Sequence, residues 1–210
     1  MEILKKSILI VLITVWIISP FKSAKSQDYN VLQDAFLNSY KREYKAEYTK
    51  AIDTLKAVYK ADSYELNLRL GWLSYKAGLF TESAAYYQKA IALKPYSVEA
   101  RFGYTYPASA LGNWDQVATQ YAEVLKVDPQ NSTANYKLGL IYYGKKDYAT
   151  AQKHFEKVVN LYPFDYDSVI MFAWTNFKLG NYREAKVLFH KALLNKPSDA
   201  SALEGLKLIK

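Results

Sequence analysis

The sequence predicts an all-α fold, a solenoid of antiparallel helix pairs, and three observations carry that prediction. Apolar residues at three- and four-residue spacing form two short segments, and this double pattern recurs every 34 residues. A proline closes each copy, at Pro95, Pro129, Pro163 and Pro197. Two residues after each proline stands Ser97, Asn131, Asp165 or Asp199, all N-cap types able to accept from the free N–H groups of the next helix. A stop followed by a start at constant period marks out repeated helix pairs. One such pair cannot bury its apolar faces, so the copies must stack.

Residues 1–26 stand apart. Lys5 and Lys6 precede an apolar run from Ile8 to Ile18, Ser19-Pro20 breaks it, and Ala24 and Ser26 take the −3 and −1 places of a cleavage site. This is the layout of a secretory signal peptide, with Gln27 as the expected mature N-terminus. The run is shorter than the ~20 apolar residues a spanning helix needs, which weighs against the rival reading of a retained membrane anchor. Lys22 and Lys25 sit awkwardly for cleavage, so both readings stay open. Export implies a periplasmic or envelope location. The chain has no cysteine. Neither a disulfide nor a lipid on a leader cysteine is available, and stability must come from packing.

The rest of the chain divides at the repeat period. Residues 28–63 form a divergent first copy, in which Phe36, Tyr40, Tyr48, Ala51, Leu55 and Val58 keep a helical stripe and Lys41–Lys45 is expected to lengthen the turn. Residues 64–97, 98–131, 132–165 and 166–199 align without a gap. Residues 200–210 begin one more helix, expected to cap the stack, with Ser201 and Glu204 spaced as a capping box. Small or short residues Gly71, Thr105, Gly139 and Ala173 in the first helices are expected to meet Ser83, Val117, Ala151 and Ala185 in the second. Phe80, Trp114, Tyr148 and Tyr182 open the second helices, and Tyr87, Tyr121, Phe155 and Phe189 follow on the same face. Gly78, Gly112 and Gly180 mark the turn between helices, a place Lys146 takes in the third aligned copy.

These features resemble the tetratricopeptide repeat family: the 34-residue period, Leu70-Gly71 and Leu138-Gly139, the alanines and the terminal prolines. The resemblance covers residues 64–199. It implies a right-handed superhelix of less than one turn, a C-terminal capping helix, and a non-catalytic module that binds another protein or peptide. It also implies that the first helices line a concave groove. Carried over place by place, the groove takes Leu68, Arg69, Trp72, Tyr75 and Lys76; then Phe102, Tyr106 and Ser109; then Tyr136, Lys137, Leu140 and Tyr143; then Ile170, Met171, Trp174, Phe177 and Lys178. Leu68, Phe102 and Ile170 are equally well explained as packing between copies. The family's carboxylate clamp uses Asn where this chain has Trp72, Tyr106, Leu140 and Trp174, so the clamp is not reproduced. An extended peptide with apolar or aromatic side chains suits the groove better, with Lys engaging carboxylates at its edge. A glycan stacked on the same rings is the alternative, and a membrane-tethered assembly factor is a third reading if the leader is retained.

No catalytic constellation stands out. His154 and His190 lie 36 residues apart without cysteines or an acidic cluster, a poor metal site. The eight glycines fall at turns and helix contacts rather than in a phosphate loop, and no cofactor is implied. Ser63, Ser97 and Ser132 stand at helix starts, and Asn131-Ser132-Thr133 is a weak glycosylation sequon. Net charge is +8 on the whole chain and +5 without residues 1–26, which hold four Lys and one Glu. Spread along helices, such a charge reads as a solvated surface, and the leader argues against access to nucleic acid. Pro107 falls inside a first helix. Two readings stay open: Gly103, four residues earlier, eases the clash by letting the helix kink and the groove widen there, or the proline is a tolerated packing irregularity.

Overall fold

The computed structural model describes residues 29–209; the segment read as a leader lies outside them. The described residues form eleven α-helices and no strand. In chain order they are α1 (Tyr29–Tyr44), α2 (Tyr48–Lys56), α3 (Tyr64–Lys76), α4 (Phe80–Leu93), α5 (Val98–Ala110), α6 (Trp114–Val127), α7 (Ser132–Gly144), α8 (Tyr148–Leu161), α9 (Tyr166–Lys178), α10 (Tyr182–Asn195) and α11 (Ala200–Leu208). Each helix packs on the next, and three successive buried clusters make one core along the stack. Among the described residues, no helix is long and apolar enough to cross a membrane.

The starts and stops obey local chemistry. Ser63, Ser97, Asn131, Asp165 and Asp199 each accept from the backbone N–H three residues on, at 2.8–3.2 Å. The last helix is thus capped by Asp199, and Ser201 is free for another contact, its hydroxyl accepting from Trp174 Nε1 at 2.8 Å. Lys94, Asp128, Tyr162 and Lys196 end the second helices in extended backbone, because a following proline disfavours the helical conformation. A further device holds these loops. Asn67, Arg101 and Asn135, one repeat apart, donate back to the carbonyls of Ala61, Pro95 and Pro129.

The turn between helices demands a left-handed residue. Gly78, Gly112 and Gly180 have φ of +74° to +78°, where glycine pays no Cβ penalty. Lys146 and Ala46 do the same work at φ +62° and +56°. In the first copy Lys41–Tyr44 is helical rather than part of a longer turn. Lys, Arg and Glu are good helix formers, so α1 runs to 16 residues where α3 has 13.

Other glycines answer to packing. A Cβ on Gly71 would lie 2.9 Å from the Tyr87 ring, and one on Gly103 would lie 2.1 Å from it. Tyr87 therefore wedges between α3 and α5, and the absence of a Cβ at Gly103 makes room for that ring. Pro107 is buried in an α5 assigned as unbroken helix from Val98 to Ala110. Packing against Tyr87 by itself accounts for glycine at position 103. Gly139 meets Phe155 and Gly205 meets Phe189 in the same way.

Candidate functional site

First helices touch one another at α3–α5, α7–α9 and α9–α11, while second helices have no comparable mutual contacts. The stack consequently curves towards the first-helix side, and that face is the groove. The predicted residues all fall on these helices, but their surroundings differ sharply.

Arg69 is core. It is buried, pairs with Glu43 at 2.6 Å, donates to Ser39 Oγ at 3.2 Å and lies 3.8 Å over the Tyr40 ring. Its charge is already matched, and it ties α3 to α1. Trp72 is half-buried and donates to the same Glu43 carboxylate at 2.5 Å. Its ring joins Tyr75 and Tyr106 in a cluster with centroids 5.4–6.0 Å apart. Lys76 is exposed above it, 5.6 Å from the Trp72 and Tyr48 rings. Tyr106 is the most open of these rings, at 48% exposure.

At the other end Trp174 packs edge-on against Phe189 at 5.0 Å and Phe177 at 5.5 Å, with its indole N–H on Ser201. Half of its role is structural. Phe177 continues to Tyr182, and Lys178 stands exposed over the Phe177 ring. Between the two clusters, α7 presents half-buried Tyr136, exposed Lys137 and half-buried Tyr143. Burial raises the hydroxyl pKa of Tyr136, helped by Asp167 and Asp165, and burial does the same for Tyr143. Both stay neutral hydrogen-bonding groups at physiological pH. Of the packing alternatives, Ile170 is buried, whereas Leu68 and Phe102 are half-buried.

Lys76, Lys137 and Lys178 share a feature: none has a carboxylate within ion-pair distance among the described residues. The groove therefore offers rings, with three uncommitted ammonium groups beside them. His154, by contrast, is engaged, stacked on Tyr142 and bonded to Asn135 at 3.0 Å.

One part of this face is not evident from the repeat pattern. A recess of about 560 Å³ opens between α5 and α7, floored by Trp114, Val117 and Tyr121 of α6 and edged by Ser109, Lys137, Leu140 and Gly144. In the repeat pattern Trp114 is simply the residue that opens α6. The available signal was the aromatic series Tyr75, Tyr143, Phe177, which is broken by Ser109 at the same repeat place.

The sequence profile of the tetratricopeptide repeat matches residues 42–98 and 108–166, more than half of the chain. The chain belongs to the tetratricopeptide repeat family. Proteins of this family are helical modules that generally mediate protein–protein interactions. A solved tetratricopeptide repeat protein from Parabacteroides merdae ATCC 43184 superposes with a TM-score of 0.73 at 21% identity, covering 84% of this chain and 71% of that one. MamA protein superposes at 0.70 with 22% identity, covering 82% and 95%. MamA from Desulfovibrio magneticus RS-1, from its residue 41 to the end, gives 0.69 at 17%, covering 81% and 98%. At these identities the likeness is one of fold.

Proposed function

We propose that this tetratricopeptide repeat protein is a non-catalytic scaffold of the cell envelope that binds an extended segment of a partner protein along its first-helix groove. The observation that carries the reading is the row of half-exposed rings from Trp72 to Phe177, flanked by the ammonium groups of Lys76, Lys137 and Lys178, which have no carboxylate within ion-pair distance among the described residues. Contiguous aromatic surface of this kind marks interaction sites. The cations would select a segment carrying carboxylates, in keeping with the positive balance of residues 27–210.

Two experiments test it. A photo-crosslinking residue placed at Tyr106 or Lys137 should trap a partner in intact cells, while one at exposed Lys153 on α8 should not. Crosslinks from Lys153 alone would move the binding face to the second helices. N-terminal sequencing of protein from the envelope fraction should begin at Gln27; an intact Met1 end would support the tethered assembly factor instead.

A second reading has its own observation. A recess of about 570 Å³ between α1, α3 and α5 is walled by Tyr40, Tyr64, Trp72 and Tyr106, with Glu65 and Glu99 at its edge. Rings to stack on and carboxylates to accept hydroxyls suit a glycan. Binding of defined oligosaccharides that is lost on Tyr106→Ala but kept on Lys137→Gln would favour it.

A further inference from the structure

We propose that the α5–α7 recess is the anchor pocket of the groove and takes an aromatic side chain from a partner segment whose adjacent residue is acidic. The inference rests on the peptide-binding reading above and specifies its main determinant.

The other three aligned copies close this place themselves. Tyr75 meets Phe80 at 5.8 Å, Tyr143 meets Tyr148 at 5.3 Å, and Phe177 meets Tyr182 at 5.4 Å. In the fourth, the ring that opens the second helix is Trp114, and the residue that should cover it is Ser109. Trp114 borders the recess of about 560 Å³ with no ring paired to it among the described residues; at 53% its exposure matches the 51% of the paired Tyr182, so the missing pair and the recess set this copy apart. The recess thus lacks one ring of a pair that the fold otherwise builds each time.

Gly144 points the same way. Its φ is not among the positive ones, so the backbone does not require glycine. A Cβ there would meet no atom within 4 Å, so packing does not require it either. It lines the recess, and its missing side chain leaves that wall open. The equivalent places in two other copies carry Lys76 and Lys178. The first helices α5 and α7 are also less closely apposed than the neighbouring first-helix pairs.

The charge at the rim is specific. Lys145 is committed to Asp115 at 2.7 Å, whereas Lys137 has no carboxylate within ion-pair distance among the described residues. A ring seated on Trp114 would gain an aromatic contact and apolar burial. A carboxylate one residue along the segment would answer Lys137.

The test uses the peptide acetyl-Gly-Ser-Phe-Asp-Ser-Gly-amide and follows the indole N–H resonances of Trp72, Trp114 and Trp174. Titration should shift Trp114 saturably. Replacing Phe by Ala in the peptide should weaken binding tenfold or more, and replacing Asp by Asn about threefold, with loss of salt dependence. Ser109→Tyr restores the residue type found at this place in two other copies and should weaken binding tenfold or more without lowering Tm. Gly144→Leu fills the recess from the opposite wall and should do the same, which guards against a folding failure in either variant. Lys137→Gln should match the Asp-to-Asn peptide. Binding unchanged by Ser109→Tyr and Gly144→Leu would overturn the pocket. If Trp72 and Trp174 shifted instead of Trp114, the pocket would fall and the groove would stand. No shift at any of the three would overturn both.

Discussion

Two junctions of the same repeat were built differently. Between α9, α10 and α11, Phe189 is fully buried, Trp174 packs on it, and Gly205 lets α11 approach its ring. Between α5, α6 and α7, Tyr121 at the place of Phe189 is buried as well, but Ser109 stands where Phe177 meets Tyr182 at 5.4 Å, and Trp114 and Gly144 border a recess of about 560 Å³. One period and one backbone therefore bury the inner ring in both copies and pair the outer ring in only one of the two. The side chain at the place of Ser109 and Phe177 decides which.

The sharpest way to break the contrast is at the aromatic rings. Phe189→Ala should cost about 3–5 kcal/mol in urea unfolding, since it empties a filled core site. Trp114→Ala should cost far less, because its ring is half exposed. Similar losses at both would mean that the recess is as structural as the core.

Glycines sharpen it next, through a difference of sign. Gly205→Ala should destabilise by about 1–3 kcal/mol, since the new Cβ would sit 2.2 Å from the Phe189 ring. Gly144→Ala should stabilise by about 0.5–1 kcal/mol, because alanine is the better helix former and meets nothing. Urea midpoints that moved the same way would reject the distinction.

Capping gives a smaller and more uniform effect. Asp165→Ala should cost about 1 kcal/mol by losing the bond to the Ser168 N–H. Asn113 makes no side-chain cap, so Asn113→Ala should change the midpoint much less.

The smallest effect expected is one of pH. Burial, with Lys157 nearby, holds the His154 pKa below its ordinary value. The folded state then binds this proton less readily than the unfolded state. This contribution is complete above the unfolded value of about 6.5 and is lost as pH falls through it towards the folded value. Urea midpoints measured from pH ~7.5 to ~5.5 should decline less in His154→Gln than in the native chain.

Most of the fold was legible because it is local. Prolines at a fixed period stop helices by sterics, and Ser97, Asn131, Asp165 and Asp199 start them by accepting one backbone bond. Such effects act within four residues and need no partner from afar. Where reading failed, competition between local options was the cause. Lys41–Tyr44 lacks a breaker and stayed helical, and Asp199 rather than Ser201 took the last cap.

The groove was legible as a face and not as a surface. Periodicity placed Arg69, Trp72 and Trp174 on it, yet Arg69 is sealed by Glu43 and Tyr40, and Trp174 is half committed to Phe189. Burial depends on residues 29 and 15 positions away, which no periodicity within one helix reports.

The sequence alone therefore determined the period, most of the helix ends and which helices carry the aromatic row. Each follows from backbone sterics and hydrogen bonds between near neighbours. Only the tertiary structure decided which rings are core and which are open, why Gly103 serves Tyr87, and where the covering ring is missing. Those depend on three helices meeting at once, where the absence of one side chain leaves space that the rigid neighbouring helices cannot close.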